Sequence, residues 1–380
     1  MPRHHVILIP GFFAFAGLGD LKYWSGVDIE LAQAFSALGL EVDITEIETL
    51  PTASIRYRAG KVVEAIAAVS ARDDGPIHLV GHSTGGLDAR VAVTPHAALA
   101  TDVKIDYERV SSIVTIATPH RGTPLASFFG SAMGQPLLRA FASSTIFGLK
   151  RGGVPLKTLL RLGSLITRVD DLFGLERTLV DQLFAQLLHN FDDKRRQALI
   201  AFLDHVSRDR ALVVQLTPDS MDLFHATTAD PDGIAYGSVI TRGKRPQFPS
   251  ALTHAYDPYA QGLHLLYCML WSITSRLHER YLPALSMAQA SALVGGYGAV
   301  PEPSDNDGMT PTLSQVWGEV VHVTDADHLD VMGQYGDLGR DGIHADWLPS
   351  GSGFDHARFT ALWHAVAGFV TRNAIATGSA

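Results

Sequence analysis

The most constraining feature of this sequence is a series of short, nearly unbroken apolar runs separated by helical patterns. Val6–Ile9, Ile77–Val80 and Ser112–Ala117 are such runs. Between them, Leu31, Ala34, Phe35 and Leu38 recur at helical spacing and stop at Gly39, while Ala59, Val62, Val63, Ile66 and Val69 share one helical face. Leu40–Ile44 alternates as a strand does. A strand with one polar face can border water, but a strand with none has to be covered on both sides. The pattern therefore predicts a mostly parallel central sheet with helices on both faces. Leu212–Leu216 and Ile234–Thr241 are predicted as further strands and Glu319–Val323 as a late one. A last helix is expected to start at an Asp355 N-cap and to bury Phe359, Leu362, Trp363, Val366 and Phe369. Residues 124–205 break the alternation with Leu-rich helical patterns and predict a cap over the sheet edge. A second helical insertion is expected within residues 250–300.

Composition narrows the function classes. With 46% apolar and 18% charged residues, a chain of 380 can bury a sizeable core. A net charge of −9 argues against broad binding to a phosphate backbone, so no nucleic-acid partner is expected. The single Cys268 excludes an internal disulfide and a cysteine zinc cluster. Gly262–Thr274 is too short to span a bilayer and contains His264, so no transmembrane segment is expected. The run at Val6–Ile9 is too short for a secretory leader and precedes no small-residue cleavage site. A cytoplasmic chain is the expectation, or a secreted one if a leader has been removed.

The chemistry concentrates at Gly81-His82-Ser83-Thr84-Gly85, directly after one predicted strand and directly before a helical pattern. In that context G-x-S-x-G is a sharp strand-to-helix turn that exposes a strained serine, with small residues letting the backbone fold tightly. A serine at its ordinary pKa is a poor nucleophile and needs a base oriented by a carboxylate. Among 17 histidines, His328 is selected by its place a short loop after the late strand, at the same sheet edge as Ser83. His322 lies inside that strand, His120 precedes any plausible acid, and His356 and His364 sit on the last helix. Ser304–Gly308 offers two carboxylates, with Asp307 ahead of Asp305. An oxyanion hole needs two backbone N–H groups. Thr84, the residue after the serine, supplies one, and Phe12 in the Pro10-Gly11-Phe12 loop supplies the other.

These segments resemble the bacterial true lipases typified by the Pseudomonas and Burkholderia triacylglycerol lipases. His78–Arg90 is similar to their nucleophile segment and Val114–Thr123 to the following strand and loop. Tyr23-Trp24, Gln215–Pro218, Asn306–Gly308 and His328–Asp330 recur in the same order. The resemblance implies an α/β-hydrolase fold, a Ser83, Asp307 and His328 triad, and Phe12 and Thr84 as oxyanion donors. It also implies a structural Ca2+ near His328, held by Asp330, the carbonyls of Gln334 and Leu338, and a further carboxylate for which Asp257 is the candidate. Such oxygen-only ligands suit calcium.

The sequence thus predicts one catalytic domain over residues 1–380, with a cap or lid at 124–205. Its expected activity is the hydrolysis of carboxylic esters with hydrophobic acyl chains, acylglycerols among them, at a lipid–water interface if the cap opens. Other acyl substrates, such as a polyester or a thioester, and a non-catalytic member of the fold that binds an apolar ligand are the competing readings.

Overall fold

The structure is a computed structural model and describes residues 3–12, 23–105, 107–131, 197, 209–246, 258–336, 346 and 348–377. Six strands, β1 (His4–Ile9), β2 (Val42–Glu46), β3 (Ile77–His82), β4 (Val110–Ile116), β5 (Ala235–Arg242) and β6 (Glu319–Asp325), form one sheet in the order β2-β1-β3-β4-β5-β6. All five pairings are parallel. Consecutive side chains of a strand point to opposite faces, and both faces are dry here. Val6, Leu8, Val80 and Val114 pack on one side with Phe35 of α1 (Val27–Ala37) and with Phe359, Leu362 and Trp363 of the C-terminal helix His356–Thr377. Ile7, Ile9, Leu79 and Ile113 pack on the other side with Val62, Val63 and Ile66 of α2 (Ile55–Ser70) and Leu87 of α3 (Thr84–Val93). Each such side chain contributes roughly 1.5–3 kcal/mol by leaving water. The continuous apolar runs of β1, β3 and β4 exist because each of these strands serves two cores. This is the α/β-hydrolase fold.

Strand order places the site. The chain leaves β1 to build β2 on one side and returns to place β3 on the other, so the crevice between the C-terminal ends of β1 and β3 is the point where the order reverses. Pro10–Phe12 and Ser83 emerge there, with Ile9 in register with Gly81.

Leu212–Leu216 is not a strand: Ala211–Gln215 is a short helix, α5, after the short α4 (Pro124–Gly130). β4 pairs directly with β5, so the sheet has no place for an intervening strand. The Asp209 carboxylate accepts the Ala211 N–H at 2.9 Å and starts the helix, which buries Leu212 and Val213 despite the β-branched pair. β2 begins two residues later than the alternation predicts. The predicted cap at 124–205 lies outside the described residues apart from 124–131 and 197. After α6 (Pro218–Thr227), residues 258–297 carry two helices, α7 (Pro258–Thr274) and α8 (Met287–Tyr297), before the C-terminal helix, α9. The predicted N-cap holds: the Asp355 carboxylate accepts the Arg358 N–H at 3.0 Å.

Candidate active site

Ser83 is the hinge between β3 and α3, at φ 53° and ψ −127°. A non-glycine residue at positive φ is strained, and the surroundings hold it there. Its N–H donates to the Ile116 carbonyl at 2.8 Å. A Cβ on Gly81 would lie 2.4 Å from the Gly85 backbone, and one on Gly85 would lie 2.2 Å from the Ile9 carbonyl oxygen. The two glycines of the motif are therefore required by backbone contact.

Two other loops converge on this turn. His328 follows β6, and its Nε2 lies 2.9 Å from Ser83 Oγ while its Nδ1 lies 2.8 Å from Asp307 Oδ2. A carboxylate can only accept, which puts the ring proton on Nδ1 and leaves Nε2 to accept from the serine hydroxyl. The His328 N–H also donates to the Asp307 carbonyl at 3.0 Å, fixing the two loops to each other. Asp307 is fully buried and His328 is 3% exposed. Asp305 turns away and accepts the Glu302 N–H in a local turn.

Buried Arg58 lies beneath the loop after β1. Its guanidinium pairs with Asp88 at 2.8 Å and donates to the carbonyls of Leu50 at 2.9 Å and Pro10 at 2.6 Å. A longer contact of 3.4 Å reaches the Gly11 carbonyl. In a trans peptide the C=O and N–H point opposite ways, so a Gly11 carbonyl held towards Arg58 turns the Phe12 N–H away from it. Thr84 opens α3, and its N–H is among the first four, which have no carbonyl one turn back. Oriented amides at a helix N-terminus favour negative charge.

A hydrogen-bonded chain ties these loops together. The Gly11 N–H donates to Tyr23 Oη at 2.7 Å, and that hydroxyl donates to His82 Nδ1 at 2.7 Å. His82 Nε2–H then donates to the His328 carbonyl at 2.9 Å. The His328 carbonyl can only accept, which puts a proton on His82 Nε2 and leaves Nδ1 of the neutral ring to accept from Tyr23. His82 is neutral in this arrangement, and burial, then the nearby His328, hold its pKa well below the usual histidine value.

His120 does not join the site. Arg90 Nη1 approaches its Nδ1 at 3.3 Å, Thr115 Oγ1 lies 3.1 Å from its Nε2, and its ring stacks on Trp317. Arg90 is itself held by both oxygens of Asp230, so this is a structural knot behind β4. His322 is half-buried in β6.

Of the four expected calcium ligands, Asp257 and Leu338 lie outside the described residues. Asp330 and Gln334 are buried beside the His328 loop. Asp330 Oδ2 accepts from the Asp327 N–H and from Ser352 Oγ, both at 2.8 Å. Its pKa is held well above the carboxylate range, first by burial and then by the charges of Asp327 and Asp346. Among the described residues, no group of three or more His, Cys, Asp or Glu side chains is arranged to hold a metal ion.

Sequence reasoning missed Arg58, Asp88 and the supports of Asp307. Arg58 left a trace, a cation on the otherwise apolar face of α2. Gln315, a buried side chain whose Nε2 lies 3.3 Å from Asp307 Oδ2, left none, because nothing local marks it as buried.

A family model described as "Putative serine esterase (DUF676)" matches residues 48–228. A triacylglycerol lipase of Pseudarthrobacter phenanthrenivorans is 31% identical over 131 residues, covering 33% of this chain and 36% of that protein. One of Burkholderia plantarii is 31% identical, covering 33% and 32%. The match thus spans about a third of these relatives' length. Lipase 1 from Pelosinus fermentans superposes with a TM-score of 0.51 at 18% identity, over 97% of this chain and 99% of that one, a likeness of fold. The chain thus has the α/β-hydrolase fold and is similar, over part of its length, to esterases and lipases.

Proposed function

We propose that this protein is a serine hydrolase of carboxylic esters with hydrophobic acyl chains, acylglycerols among them, and that it works as one catalytic unit akin to the bacterial true lipases. The observation that carries the reading is the single hydrogen-bonded line from Ser83 Oγ through His328 to Asp307 Oδ2. Ser83 attacks the ester carbonyl as His328 Nε2 takes its proton. Asp307 holds the ring in the tautomer that can do so and stabilises the imidazolium that forms. The N–H groups of Phe12 and Thr84 receive the developing oxyanion. His328 returns the proton to the leaving alcohol, and water repeats the sequence on the acyl-enzyme.

Asp330 fits a calcium ion in one respect: the nearby negative charges of Asp327 and Asp346 are what a hard cation relieves. Its chemistry there would be structural, pinning the loop that carries His328.

The test is turnover of p-nitrophenyl esters of graded chain length, with and without emulsified triglyceride. Hydrolysis is expected, with a preference for apolar acyl chains, and Ser83→Ala is expected to abolish it. Undiminished turnover by that variant would rule the reading out.

A further inference from the structure

Asp307 carries a buried negative charge with no Lys or Arg paired to it among the described residues. His328 is its only ion-pair partner there. Its oxygens are satisfied by neutral donors instead. Oδ1 accepts the N–H groups of Met309 at 2.9 Å and Thr310 at 2.7 Å, both from its own loop. Oδ2, the oxygen that faces His328, also accepts from Thr241 Oγ1 at 2.7 Å and has Gln315 Nε2 at 3.3 Å. Thr241 lies at the C-terminal end of β5, and Gln315 ends the 3-10 turn Thr312–Gln315. Both side chains are fully buried.

The protons in this cluster can be assigned from chemistry alone. The Thr241 N–H can only donate, so the Gln315 atom 2.7 Å from it is Oε1. The Thr241 carbonyl can only accept, so the atom 3.1 Å from it is Nε2. One residue's backbone therefore fixes both ends of the amide. The single hydroxyl proton of Thr241 has two acceptors within reach, Asp307 Oδ2 at 2.7 Å and Gln315 Oε1 at 3.0 Å. Oε1 already holds an N–H, and the carboxylate is the charged, nearer acceptor, so the proton goes to Asp307. The remaining Gln315 N–H is aimed between Asp307 Oδ2 and the Thr310 carbonyl.

We infer that Thr241 and Gln315 are positioning residues that fix which oxygen of Asp307 faces His328 and hold its charge where no cation does. The inference rests on the proposed roles of Ser83, His328 and Asp307. Turning the carboxylate would break contacts to two separate elements at once, so Oδ2 stays aimed at Nδ1. The alternative is that both residues merely fill space between β5 and the acid loop. A valine fills the space of threonine and lacks only the hydroxyl, which separates the two.

The experiment measures p-nitrophenyl butyrate turnover, thermal unfolding and the far-downfield proton resonance of the His328 Nδ1–H in the full chain. Thr241→Val, Thr241→Ser, Gln315→Met and Ser83→Ala are compared with the parent. Thr241→Val and Gln315→Met are expected to lower kcat about ten- to hundredfold with KM within about twofold, and to shift or broaden the resonance. Thr241→Ser is expected to restore both. Parental kcat and resonance in Thr241→Val and Gln315→Met, with Ser83→Ala inactive, would overturn the inference alone. So would equal losses in Thr241→Val and Thr241→Ser. A Thr241→Val chain that does not fold leaves Gln315→Met and the resonance to decide. Activity remaining in Ser83→Ala would instead remove the reading on which the inference rests.

Discussion

Asp307 and Asp88 are both fully buried carboxylates near the end of the sheet that carries Ser83, and they are held by opposite means. Asp307 is surrounded by neutral donors and one imidazole, and both of its oxygens are satisfied. Asp88 faces a cation, and the contact is one-sided: Arg58 Nε and Nη2 both reach Oδ2, while Oδ1 has no hydrogen-bond partner among the described residues. Burial lifts the Asp88 pKa to about 6 even against the attraction of Arg58. The difference shows what each site requires. An acid that orients a histidine needs a directional cage. A carboxylate whose task is to keep a guanidinium beneath the loop after β1 needs only charge.

The largest effect expected from this contrast is on turnover. Asp307→Asn keeps the shape of the side chain but puts an amide NH2 among donors and loses the partner that selects the His328 tautomer. A fall in kcat of about 10³–10⁴ is expected. Asp88→Asn, an identical chemical change in the other carboxylate, is expected to keep kcat within about tenfold. Steady-state kinetics of the two variants side by side tests the comparison, and equal losses would erase the distinction.

Stability is expected to respond in the reverse sense. Arg58→Met leaves the Asp88 charge buried and uncompensated, at a cost of about 3–5 kcal/mol in urea unfolding. Adding Asp88→Leu is expected to recover most of that stability. Turnover should stay low in the double variant, because the hydrogen bond to the Pro10 carbonyl is still missing. Recovery of both together would mean that Arg58 serves the fold and not the loop.

These two carboxylates also mark where the sequence was legible. Strands buried on both faces announce themselves by composition, and a serine at a strand-to-helix turn does so by spacing, so the sheet, Ser83 and His328 were readable. Asp307 was singled out by its place in the chain, but what distinguishes it from Asp305 is tertiary: one carboxylate meets the His328 loop and the other closes a local turn. Thr241 and Gln315 are 66 and 8 residues from Asp307 and follow no local period. The same limit explains Leu212–Leu216. Its β-branched composition suggested a strand, and only the direct pairing of β4 with β5 excludes one.

The pH dependence of stability has contributions of opposite sign. Asp88 has a folded pKa of about 6, above the unfolded value of 3.8, so the folded state binds the extra proton. Its contribution is fully present below pH 3.8 and is lost as pH rises through 6, by about 3 kcal/mol at most. His78, held by burial at a pKa of about 3, works the other way: its contribution is present above pH 6.5 and is lost as pH falls towards 3. Buried His82 and His120 share the sign of His78, and buried Asp327 and Asp330 share that of Asp88. The Asp88 part is read by difference. Urea unfolding at pH 4, 5 and 6 should show Asp88→Asn gaining on the parent as pH rises, and parallel curves would contradict the one-sided pairing.

Asp330 is a third buried carboxylate, crowded by like charge instead of caged or paired, and the smallest expected effect concerns it. A calcium ion at that position would turn the crowding into attraction. Free calcium at ten times its dissociation constant would then stabilise the fold by about 1.4 kcal/mol, and chelation would remove that amount. Chelation alone is a blunt probe, but the sign of Asp330→Asn is informative. With a cation bound, the substitution removes a ligand and lowers the melting temperature. Without one, it removes a repelled charge and leaves the melting temperature equal or higher. A lower melting temperature in calcium that disappears under chelation is the expected result. A stabilised Asp330→Asn chain in both buffers would mean that Asp330 is held by Ser352 and the Asp327 N–H alone.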